Sequence, residues 1–136
     1  MKKIFTLLSA SLLVALIITS CTKKEETDDR DAFVGTWNLS ETYTIPGWGS
    51  GTDNYAITIS KSTVNDNGVI ITNFGNVGLT VEGTVNGTSM SIPSQNVTYE
   101  GEIVSLSGSG SIAGSTLILN YTIVDYWTAN CNGTKL

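Results

Sequence analysis

Few side chains in this chain could do chemistry, and their spacing narrows what that chemistry would be. The 136-residue sequence holds two cysteines, Cys21 and Cys131, and no histidine. A thiol nucleophile needs a neighbouring base to take its proton, and the usual base is missing. Cys131 alternates with Ala129 and Trp127 and is expected as a small inward-facing hydrophobe. Glu100 and Glu102 stand two apart on one expected strand, which places them on one face. A carboxylate pair can hydrolyse glycosides at a separation of about 5–9 Å, but neighbouring acids on an exposed strand usually just face water. Asn65-Asp66-Asn67-Gly68 begins like a calcium loop and lacks the distant bidentate glutamate, so it is read as a turn. Zinc-ligand spacings, phosphate loops and the Gly-x-Ser-x-Gly elbow are missing. No catalytic residue, metal site or cofactor is therefore expected, and the chain is read as not being an enzyme. Tyr126 and Trp127 are expected on the last strand, pointing to opposite faces, and two further aromatics are Tyr43 and Trp48. Trp48 lies between Gly47 and Gly49 in a glycine-rich stretch expected to be an exposed loop. There the pair would form the rim of a ligand mouth or a sugar-stacking platform, unless Trp48 folds back onto the domain.

These groups are positioned by three segments of different character. Met1-Lys2-Lys3 is followed by an apolar run from Ile4 to Ile18, interrupted only by Thr6, Ser9 and Ser11. As a helix this run is about 22 Å long, short of the ~30 Å bilayer core, so residues 1–20 read as a signal peptide rather than a membrane span. Residues 21–31 are dense in charge from Lys23 to Asp31 and are expected to form a solvated, flexible tether. Residues 32–136 form the folded domain. Its basic residues are only Lys61 and Lys135, against Glu41, Asp53, Asp66, Glu82, Glu100, Glu102 and Asp125. The net charge of the whole chain is −5. Two cations cannot neutralise a phosphate backbone, so nucleic acid is excluded as a partner.

The domain is rich in valine, isoleucine, threonine, serine and asparagine and poor in the residues that favour surface helices. Tyr55, Ile57 and Ile59 alternate with polar residues, as do Leu79, Val81, Gly83 and Val85 and later Leu117, Leu119, Tyr121 and Ile123. Asn86-Gly87 is a strong hairpin signal, with further turns at Asn65–Gly68 and Ala113-Gly114. The spacing predicts an all-β fold, an antiparallel meander of 8–9 strands closed into a barrel or flattened into a β-sandwich. Gly83, Gly108 and Gly110 fall on inward positions, where they either leave room or allow the sheet to curve.

Ile18-Thr19-Ser20-Cys21 resembles the lipobox of bacterial lipoproteins. The resemblance implies cleavage between Ser20 and Cys21, lipidation of Cys21 and a membrane partner held through that lipid. Lys23-Lys24-Glu25-Glu26 is similar to the surface-export tag of Bacteroidetes lipoproteins, which implies an outer-membrane protein facing outward, with the periplasmic face as the alternative. Asp31-Ala32-Phe33-Val34-Gly35-Thr36-Trp37 resembles the opening of lipocalins and fatty-acid-binding proteins. By that likeness Phe33, Gly35 and Trp37 would form the barrel base, and Lys135 is the one residue available as the cation over the tryptophan. Fatty-acid carriers hold a carboxylate with arginine and tyrosine on late strands, whereas the one arginine here is Arg30, in the tether, which disfavours a fatty acid. The function expected is a lipocalin-like surface lipoprotein that binds a small uncharged apolar ligand; the alternative is a glycan-contacting or adhesive module. Replacing Cys21 with serine is expected to abolish incorporation of radiolabelled palmitate and to leave the precursor uncut. Unchanged labelling of the Cys21→Ser chain would contradict the lipobox reading.

Overall fold

β-Branched residues on alternate positions bury one face of each strand, and closing the sheet on itself leaves no edge for another chain to pair with. In the computed structural model, which describes residues 26–136, this produces an eight-stranded antiparallel barrel. The strands are β1 (Gly35–Ile45), β2 (Gly49–Lys61), β3 (Gly68–Phe74), β4 (Leu79–Asn86), β5 (Ser89–Tyr99), β6 (Glu102–Ala113), β7 (Thr116–Ile123) and β8 (Trp127–Lys135). Each pairs with the next, and β8 returns to β1 in a register running from Trp37↔Lys135 to Thr44↔Thr128. The barrel is closed, and the flattened sandwich is not formed. A short 3-10 helix, Asp29–Ala32, precedes β1. Residues 1–25, on which the expected signal peptide, its cleavage at Ser20 and the lipidation of Cys21 all fall, lie outside the described residues.

The interior is filled rather than hollow. Phe33, Leu39, Val69, Ile71, Phe74, Val81, Leu106, Leu117 and Leu119 are sealed from solvent, and Trp37 nearly so. The inward glycines leave no space either. A side chain on Gly83 or Gly110 would meet Met90, and a Cβ on Gly108 would stand 2.5 Å from the Asn120 carbonyl oxygen. Outward positions carry residues such as Asn38, Ser40, Thr42, Asn130, Asn132 and Thr134. That polar exterior is the reverse of the apolar band of a membrane-spanning barrel. No helix among the described residues is long and apolar enough to cross a bilayer.

The two ends of the barrel differ. At the base, Trp37 Nε1 donates to the Phe33 carbonyl at 2.7 Å, and Lys135 Nζ lies 5.3 Å from the centre of the Trp37 ring. Gly35, at φ +136°, leaves the space that the Lys135 side chain occupies. The expected base residues are thus together, under the cation. The 3-10 helix is clasped to the same end. Arg30 pairs with Asp28 and donates to the carbonyls of Ser62, Asn65 and Gly68, while Lys61 pairs with Asp28 and Asp31. The expected tether of residues 21–31 is therefore too long at its C-terminal side: Asp28–Asp31 are docked, because Asp28 and Asp31 meet Lys61 at the end of β2, Asp29 accepts from Gly87 N, and Arg30 reaches the β2–β3 loop. The Arg30 and Lys61 bonds hold the Asp28 carboxyl well below the usual carboxylate range.

Three further expectations are corrected at the opposite end, the mouth. The glycine-rich stretch expected as a loop is mostly strand: β1 runs to Ile45, β2 starts at Gly49, and only Pro46–Trp48 turn. Gly51 makes this possible by leaving room for its partner Tyr43 to lie across it. Glu100 and Glu102 do not share a strand, since Glu100 is in the β5–β6 turn at φ +50° and Glu102 begins β6. Tyr126 belongs to the β7–β8 turn rather than to the last strand.

Near the mouth, side-chain amides continue ladders that the backbone abandons. Pro93 has no N–H, and the β5–β6 register shifts between Ile92 and Gln95. The Gln95 amide accepts from Glu82 N and donates to Glu82 O, at 3.0 and 2.9 Å, joining β4 to β5 where their pairing has ended. Asn73, at φ +58°, donates to the Ala56 carbonyl and accepts from Gly78 N, which fixes the β3–β4 turn over the mouth.

The close approach at Gly108 gives a direct stability test. Gly108→Ala is expected to cost about 1–3 kcal/mol, because Asn120 O is fixed backbone that cannot move aside. The neighbouring outward change Ser109→Ala is expected to stay within about 0.5 kcal/mol. Thermal melts of the two variants check this; equal melting temperatures would contradict the packing described.

Candidate functional site

Alternation along β1 places Trp37, Leu39, Glu41 and Tyr43 on the inner face, so a carboxylate enters the barrel. Glu41 is 4% exposed. Burying an acid is costly unless donors replace the lost water, and three do so here. Tyr55 and Tyr121 donate their hydroxyls to Glu41 Oε2, the latter at 2.7 Å, and the Cys131 thiol approaches the same oxygen at 3.4 Å. Trp127 Nε1 donates to the Tyr121 hydroxyl at 3.2 Å, extending the chain of bonds up to the mouth.

These donors are held as neutral groups. Burial, above all, raises the Tyr55 phenol well above its usual 10.0; the charge effect of Tyr121 and the bond to Glu41 act the same way. Burial likewise dominates at Tyr121, where the Trp127 bond opposes it and the Glu41 bond reinforces it. The Cys131 thiol is pushed up by burial and then by the Glu41 charge, which makes it a poor nucleophile.

Glu41 forms the floor of a cleft of about 280 Å³ that opens at the mouth. Its walls include Tyr43, Ile45, Val77, Tyr99 and Trp127. Tyr99 meets Trp127 and Tyr126 edge to face, with centroids 5.7 and 5.2 Å apart, which fixes the aromatic wall. Asp53 lines the cleft directly across from Glu41 in the β1–β2 register, and its Oδ2 accepts from Asn76 Nδ2 at 2.7 Å. The remaining oxygen of Glu41, Oε1, takes no hydrogen bond among the described residues, yet it is not sealed from solvent. Oε1 is thus the atom that Glu41 offers to the cleft.

Of the expected rim residues, Tyr43 lines this cleft. Trp48 stands at the tip of the β1–β2 hairpin, 89% exposed and away from the lining. Glu100 and Glu102 take no part in the cleft; Glu102 instead accepts from the Tyr126 hydroxyl at 3.0 Å. Among the described residues no group of three or more metal-type ligands occurs. Sequence reading missed Glu41, Asp53, Tyr99 and the two tyrosines beneath the floor. One signal could have found Glu41: it falls on the same alternate positions as Trp37 and Leu39.

No family model and no curated protein matches this chain. Among solved structures, a redesigned beta barrel matches with a TM-score of 0.56 at 12% identity, covering 80% of this chain and 96% of that one. The likeness is one of fold.

The raised phenols and thiol set a direction with pH. Groups favoured in their neutral form by the fold stabilise it fully below their ordinary values, 10.0 for tyrosine and 9.0 for cysteine, and lose that contribution as the pH climbs beyond them. The barrel is therefore expected to unfold in alkali from about pH 10 upward. Cys131 is expected to resist alkylation at pH 8 until denaturant is added. Peptide mass analysis reads the labelling, and rapid labelling of the native chain would contradict the buried site.

Proposed function

We propose that this protein is a lipid-anchored lipoprotein of the outer-membrane surface, with a lipocalin-like barrel that binds a small, non-anionic molecule in its mouth cleft and catalyses no reaction. The observation that carries the reading is the cleft itself, an aromatic wall above a carboxylate floor on an otherwise filled barrel. Ligand sites are commonly apolar hollows with a few placed polar groups, typically of roughly 300–1,000 Å³, and this one, at about 280 Å³, falls just below that range and suits a small molecule. A long lipid chain has nowhere to go, because Leu39, Phe74 and Leu106 occupy the interior beneath. Glu41 and Asp53 oppose an anion.

The placement of the ends supports the surface reading. Residues 28–31 are clasped to the base, so a lipid on Cys21 would hold that end toward the bilayer. β1 then climbs from Gly35 to Ile45, about 33 Å of strand, and delivers the cleft to the far end. The mouth would face away from the membrane, where a ligand arrives.

Trp48 favours a second reading, contact with a glycan, because an 89% exposed indole at a hairpin tip is available for stacking. A glycan array would distinguish it: binding that Trp48→Ala abolishes supports contact through this residue, and binding that survives the change rejects it.

The cleft reading is tested by fluorescence of the full chain in neutral detergent micelles, with Trp48→Phe to silence the tip. Trp127 is expected to report a saturable change with some member of a panel of neutral and cationic ring compounds. Tyr99→Ala is expected to weaken that binding at least about tenfold by removing a ring face. No saturable change with any compound would overturn the proposed function.

A further inference from the structure

We infer that the cleft is built for a protonated organic amine carrying a ring or a short apolar body; this rests on the binding reading above and names its ligand class. Four observations converge. Glu41 is nine-tenths buried, and its Oε1 is left without a partner at the floor of the cleft. A neutral hydroxyl would bring that acceptor one uncharged donor, whereas an ammonium brings three N–H donors and the opposite charge, which makes the stronger bond.

Asp53 is the direct cross-strand partner of Glu41, and both line the cleft. Like charges in that relation are destabilising unless a cation lies between them. The protein brings none: the three cations among the described residues are all at the base, where Arg30 and Lys61 are paired with acids of the clasp and Lys135 covers Trp37. The mouth instead adds Glu100, Glu102 and Asp125 in and beside its turns. This segregation gives the opening a negative field that draws cations in.

The walls distinguish an organic cation from a metal ion. Tyr43, Tyr99 and Trp127 present ring faces and edges around the acids, and aromatic faces attract ammonium groups. Calcium takes about six to eight oxygen ligands, far more than two carboxylates supply. An amine uses both halves of the cleft, its charge at Glu41 and Asp53 and its body against the rings.

Calorimetric titration of the full chain in neutral detergent micelles tests this with four probes: 2-phenylethylamine, its neutral analogue 2-phenylethanol, the anion 3-phenylpropionate, and calcium chloride. The amine is expected to bind at least about tenfold more tightly than the alcohol, the anion not at all, and added salt to weaken the amine. Glu41→Gln is expected to erase the preference for the amine, and Asp53→Asn to reduce it severalfold. Circular dichroism checks folding; should Glu41→Gln not fold, Asp53→Asn, on a less buried strand position, carries the test. If the alcohol binds as well as the amine and neither variant matters, the inference is overturned while the binding reading stands. If calcium alone binds, the inference is overturned in favour of a metal site. If none of the four binds, the inference is overturned, and the fluorescence panel above decides the binding reading separately.

Discussion

A carboxylate enclosed by a barrel must be satisfied by the barrel's own donors, and the upper half of this molecule is arranged around that requirement. Glu41 lies inside because pairing with β2 and with β8 fixes the register of β1, and Glu41 falls on the same alternate positions as Trp37 and Leu39. The donors come from β2, β7 and β8, and all converge on one oxygen. An apolar residue at this position would have capped the core more simply. A group that demands three donors and still shows an oxygen to the opening is hard to account for by packing alone, since buried charge is seldom a net source of stability.

The base is organised by the opposite charge logic. There the acids of the 3-10 helix meet Arg30 and Lys61, and Lys135 lies over the Trp37 ring. Positive and negative groups are paired at that end, while the mouth keeps acids without counterions among the described residues. A filled interior separates the two. The core supplies the stability, which leaves the mouth free to hold an arrangement that folding alone does not require.

Local features of this fold were legible in the sequence, and features that depend on distant strands were not. The inward set Tyr55, Ile57 and Ile59 and the turn at Asn86-Gly87 follow from alternation and from glycine at positive φ. Phe33, Gly35 and Trp37 are near neighbours in sequence and lie together at one end of the barrel. The Glu41 site rests on partners 14, 80 and 90 residues away, whose meeting depends on shear and closure rather than on any local pattern. The stretch from Thr44 to Asn54 misled because glycine usually marks a loop; here Gly51 serves instead as the bed for a tyrosine ring. Glu100 and Glu102 were separated by a turn that only the hairpin register reveals.

The central claim is that the unpartnered oxygen of Glu41 is the recognition point of the mouth. A crystal structure of the chain grown with 2-phenylethylamine examines it most directly. The ammonium nitrogen is expected within hydrogen-bonding distance of Glu41 Oε1, with the ring held among Tyr43, Tyr99 and Trp127. An amine bound elsewhere, or a cleft closed by the Glu41 side chain turning to a partner of its own, would contradict it.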